Sequence, residues 1–185
     1  MRFHKHFFLA ALLIATCSRL VAQDDLKHQQ IMEKLVSANT EQARFYALAP
    51  AAKSCFVVSQ FKEAQSLSSE LLRLAPKYQK DWNYGNAIHT GNMVLGQLAL
   101  LDDKVNDAKE YLLKAGKTPG SPQLDSFGPN MSLAKGLLER GEYAVVLEYF
   151  ALCSKFWGYH QDRLDMWSGV VKNGEIPDFK ANLYY

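Results

Sequence analysis

The chain has 185 residues, with 21 basic residues against 19 acidic ones, a length that suits one domain. Arg2, Lys5 and Arg19 are the only charged residues before Gln23, so the remainder carries 18 basic and 19 acidic residues, a net charge of −1. The basic balance belongs mainly to the N-terminal segment, no Lys/Arg block is left to track phosphates, and nucleic acid is not expected as a partner.

Residues 1–22 have the three-part layout of a secretory signal peptide, with a basic start at Arg2 to His6, an apolar run from Phe7 to Ala15, and a polar stretch reaching Ala22. The run is too short to span a bilayer, which takes about 20 apolar residues. Cleavage after Ala22 puts a small residue at the last signal position, although Leu20 two residues earlier is bulky for its place. Ile14-Ala15-Thr16-Cys17 resembles a bacterial lipobox, in which Cys17 becomes the lipid-bearing first residue, with Thr16 departing from the usual Gly, Ala or Ser. The expectation is an exported protein, periplasmic or secreted, or else anchored to a bacterial membrane by a lipid on Cys17. Cys55 and Cys153 fall in different predicted helices, too far apart for the ~7 Å that a disulfide allows between Cα atoms, and read as buried free thiols.

From residue 25 the chain reads as helices. A first helix over 25–44 aligns Ile31, Leu35, Ala38 and Gln42 on one stripe. A unit over 45–78 follows, in which Phe61 lies three residues before Ala64 and Pro76 twelve after it. The next, over 87–118, has Leu95-Gly96 with Ala108 twelve residues past Gly96, then Leu112 and Ala115; Asp103 is expected to cap the helix opening at Lys104. The third, over 129–157, has Leu133-Ala134, Gly141, Val146 and Phe150, with Pro129 expected at the first helical position. A last helix carries Leu164, Trp167, Val170 and Val171, and stops at Gly174 and Pro177.

Over roughly residues 45 to 157 this spacing resembles the tetratricopeptide (TPR) family. The resemblance implies an all-α fold of antiparallel helix pairs, stacked as a short TPR-like right-handed α-solenoid in a single domain over 23–185. Helix 161–174 would cap it, with the tail from Phe179 to Tyr185. Equivalent positions Ala64, Ala108 and Val146 are 44 and 38 residues apart rather than the family's 34, so the array is degenerate and its linkers are long.

Chemistry is sparse. There is no HExxH, CxxC, Gly-x-Ser-x-Gly elbow or phosphate-binding glycine loop, and His28, His89 and His160 lack metal-ligand spacing. No catalytic residue, metal or cofactor is assigned. Residues 81–92 and 118–130 are rich in aromatics, amides and turn formers, and precede or enter the first helices of units. First helices line the concave face of such arrays, so Trp82, Tyr84, His89, Asn92, Gln123 and Asn130 are the candidate partner-binding residues. The same residue types also satisfy helix ends and shape linkers. The resulting expectation is a non-enzymatic module that binds another protein or peptide on its concave face. The alternatives are an enzyme using His89 and the 118–130 loop, with Asp125 or Ser126 assisting, and a structural subunit of a bacterial envelope assembly. Mass spectrometry of the mature protein tests the export reading: a chain beginning at Gln23 is expected, lipidated Cys17 marks the lipoprotein route, and a retained Met1 overturns export.

Overall fold

A computed structural model describes residues 23–184, so the signal peptide expected over 1–22, the lipidation expected at Cys17, and Tyr185 lie outside the described residues. Helix α1 covers 23–36 and ends before Thr40, so the single helix expected over 25–44 is in fact two. Thr40 is extended, with φ −128° and ψ 155°, and its Oγ1 accepts the Ala43 N–H at 3.1 Å. That side-chain cap opens a new helix, α2 (Glu41–Val57), and carries Gln42 away from the α1 stripe. Then come α3 (Phe61–Leu74), α4 (Tyr84–Leu101), α5 (Val105–Gly116), α6 (Pro122–Phe127), α7 (Ser132–Leu138), α8 (Tyr143–Cys153) and α9 (Arg163–Lys172). Short 3-10 turns follow α3 and close the tail at Lys180–Leu183, and no strand occurs among the described residues.

The helices pack in pairs, α2 on α3, α4 on α5, and α7 on α8, with α9 laid against α8. Each pair turns back through one left-handed residue: Ser59 (φ 61°), Asp103 (φ 57°) and Gly141 (φ 79°). The next amide reaches back to close the turn, Gln60 N to Cys55 O at 2.8 Å, Lys104 N to Ala99 O at 2.8 Å, and Glu142 N to Leu137 O at 3.0 Å. These three residues are 44 and 38 apart, the same offsets that separate Ala64, Ala108 and Val146. The backbone turn and the small side chain that follows it recur in one register. Asp103 is therefore not the cap of α5: it is the turn residue that ends α4, and the N-cap is Lys104, with no side-chain cap bond. Pro129 is likewise not a first helical residue, because α7 opens only at Ser132; Pro122 takes that place in α6.

Ala64, Ala108 and Val146 are fully buried, and Gly96 lies where α4 meets Tyr111 of α5 and Leu133 of α7. Two apolar clusters result, one built on Phe45, Leu48, Leu71 and Val94, the other on Leu112, Leu133, Phe150 and Trp157. Helix α4 feeds both. The second is closed by α9 and the tail, where Trp167 meets the Phe179 ring edge-on at 5.0 Å. Cys55 and Cys153 are buried free thiols in separate clusters, and burial pushes both thiol pKa values up.

The repeated turn makes a prediction with opposite signs. Nothing stands within 4 Å of a side chain added at Gly141, so Gly141→Ala meets only the left-handed backbone. It should lower unfolding free energy by about 1 kcal/mol, while Ser59→Gly should raise it by about 0.5 kcal/mol, as read from urea midpoints.

Candidate functional site

The long 117–131 connection does not trail over the surface, because it is latched to the start of α4. A Cβ on Gly85 would stand 1.7 Å from the Gly120 carbonyl oxygen, so only glycine lets the two backbones touch. Thr118 Oγ1 donates to Gly85 O at 2.8 Å, and Ser121 Oγ donates to Asn86 Oδ1 at 2.6 Å. The same Ser121 oxygen accepts the Leu124 N–H at 3.0 Å and caps α6, whose first residue is Pro122. Asn86 Nδ2 then donates to Gln123 Oε1 at 3.1 Å. On the far side the Gly158 N–H donates to Asp125 Oδ1 at 2.7 Å, and buried Asn182 donates to the carbonyls of Phe127 and Pro129 at 3.2 and 3.0 Å. Helix α6 thus becomes a fixed wall.

Between that wall and α2 runs a groove floored by α4. One cavity, about 260 Å3, lies among Pro50, Lys53, Asn86, His89, Gln123 and Asn130. A second, about 470 Å3, opens on the other side of Lys53 toward α1, with Ile31, Phe56, Val94 and Leu183 among its walls. A narrow space lined by His89, Thr90, Gln97 and again Lys53 joins them.

The polar groups on the floor are tied to one another. Tyr149 Oη donates to the Asn130 carbonyl at 3.1 Å, which commits its only proton. His89 Nε2 lies 3.1 Å from the same oxygen, which can accept a hydrogen from it. His89 is 4% exposed; burial above all, and the Lys53 charge second, depress its pKa to about 3. Asn130 Oδ1 accepts both the N–H and the hydroxyl of Ser132, and Gln97 Nε2 donates to Ser132 Oγ at 2.8 Å. Lys53 forms no ion pair among the described residues. Its side chain reaches solvent through the open side of the groove, yet protein crowds it from the rest, and that crowding together with the Lys27 charge pulls its ammonium pKa down.

Of the six candidate residues, the structure brings His89, Gln123 and Asn130 together in the groove. The other three lie elsewhere. Trp82 is 52% exposed and tilts against Tyr46 at 5.7 Å, Tyr84 packs on the first core cluster, and Asn92 is buried with its amide donated to Ile88 O at 2.7 Å within α4. Lys53, Thr90, Gln97 and Ser132 are groove residues that sequence reasoning missed; a lone lysine on a helix reads as solvated. The available signal was the alanine-rich run around Pro50, which marks a helix enclosed on more than one side. For acid–base work a group should titrate near the working pH. His89 does not, and neither Asp125 nor Ser126 lines the groove. Among the described residues no three His, Cys, Asp or Glu side chains gather to hold a metal ion, and no helix is long and apolar enough to cross a membrane. No family model matches the chain, and neither the curated proteins nor the solved structures hold a match to it.

The neutral histidine sets a pH dependence. Its folded pKa of about 3 lies below the ordinary value of 6.5, so the unfolded chain takes up a proton that the folded chain refuses. Stability from this site is complete above about pH 6.5 and is lost as pH falls toward 3, with a slope approaching about 1.4 kcal/mol per pH unit. The carboxylates of Glu70 and Asp81, held low by Arg44 and Tyr46 respectively, act only at lower pH. Between pH 6.5 and 5, His89→Gln should therefore flatten the stability curve measured by urea unfolding.

Proposed function

We propose that the protein is exported and acts as a non-enzymatic interaction module, a short right-handed TPR-like array whose concave groove receives an extended segment of another protein. One observation carries this reading: α1, α2, α4 and the start of α7 supply the groove, with α6 and the tail, and no residue of α3, α5 or α8 lines it. One layer of helices faces the groove and the other faces away, as in solenoids that bind ligands along a concave surface. The shared 44- and 38-residue offsets of turns and small residues support the same architecture. The groove offers amide and hydroxyl groups at Gln123, Thr90 and Gln97 beside apolar walls, a mixture suited to a peptide backbone with its side chains.

A photo-crosslinking residue placed at Gln123, in the groove, is expected to trap one discrete protein in envelope extract. The same residue at Glu110, exposed on α5, should trap none. Crosslinking from Glu110 alone would move the contact to the outer face and favour the envelope-subunit alternative.

A further inference from the structure

The larger cavity sets two lysines, which the protein-binding reading does not use, beside its apolar wall. Lys53 stands at its inner end and Lys27 of α1 on its wall, and neither forms an ion pair among the described residues. Asp24 is the one carboxylate on the same lining. His89 adds no charge, because it stays neutral. The positive charge of the groove is thus that of two lysines against one aspartate. Beyond Lys53 the wall is apolar, formed by Ile31, Phe56, Val57, Val94 and Leu183.

Two ammonium groups against the single carboxylate of Asp24, on a lining that is otherwise largely apolar, are complemented by a bound anion. The same anion cannot be strongly hydrated or multiply charged, since apolar surface adjoins it and Asp24 lies on the rim. A cavity of about 470 Å3 is within the range of small-molecule sites. We propose that this cavity binds a small amphiphilic carboxylate, its head on Lys53 and its apolar tail along Ile31, Val57, Val94 and Leu183. The site goes beyond the protein-binding reading and does not depend on it: ligand uptake here can succeed or fail whether or not the groove captures a protein.

Isothermal titration of the purified protein with decanoate and with decanol, both below the concentrations at which they aggregate, tests it. Decanoate is expected to saturate one site per chain and to bind about tenfold or more tightly than decanol. Lys53→Met should weaken decanoate by about tenfold or more with thermal unfolding unchanged, while Lys53→Arg retains it. Val57 is 65% exposed, so Val57→Asp tests the tail contact without disturbing the fold, and should also weaken decanoate. Equal binding of decanoate and decanol, uptake without saturation, or undiminished binding by folded Lys53→Met would each overturn the proposal.

Discussion

A single buried hydroxyl holds the centre of this protein in register. Tyr149 is fully buried on α8, yet its oxygen contacts His89 of α4 and the Asn130 carbonyl just before α7. A hydroxyl stripped of water and left unpaired costs on the order of 1–3 kcal/mol, so the second and third helix pairs can approach only at the spacing that satisfies it. The carbonyl can only accept, which turns the tyrosine proton toward Asn130 and leaves the hydroxyl oxygen to accept a hydrogen from the His89 ring. Burial, with the nearby Lys53 charge second, keeps that ring uncharged under the groove.

Helix α4 then distributes that constraint. Val94 and Ala87 enter the cluster built with α2 and α3, whereas Met93, Ala99 and Leu100 enter the one built with α5, α7 and α8. Its N-terminal turn also carries the latch of the long connection, where Gly85 meets Gly120 backbone to backbone. A connection of this length left free would add backbone disorder. Tied to α4, to Gly158 and to the tail through Asn182, it becomes the second wall of the groove. The closing tail has a similar double use, since Phe179 plugs the core beside Trp167 while Leu183 faces the larger cavity.

Charge is handled differently inside and outside. On the outer side of α2 and α3, Arg44 pairs with both oxygens of Glu70, at 2.6 and 2.7 Å, in the forked geometry that suits guanidinium and carboxylate. In the groove the two lysines form no ion pair among the described residues; the Lys27 charge disfavours the charged form of Lys53, and the Lys53 charge that of His89. A site with two lysines against the one carboxylate of Asp24 on its lining is open to a negative guest.

The helices themselves, the small residues at Ala64, Gly96 and Ala108, and the closing α9 were legible because they depend on local periodicity and on residues a few positions apart. So were Gln123, His89 and Asn130 as a group worth watching. The break at Thr40 was missed, since the stripe of α1 runs on past it and only the capping bond reveals the new helix. Asp103 was misread because a residue beside a helix start and one in a left-handed turn look alike until φ is known; its sign follows from how α5 packs back on α4. Lys53 was invisible for a related reason. Only the alanine-rich run around Pro50 sets it apart from a surface lysine in the sequence, and the groove around it is formed by α1, α4 and the 117–131 connection, segments brought to it only by folding. The sequence by itself determined where helices form, because hydrophobic spacing and caps act locally. Which side chains share a groove was decided by the tertiary structure, through the Tyr149 relay and the Gly85–Gly120 contact, both of which join residues more than thirty positions apart.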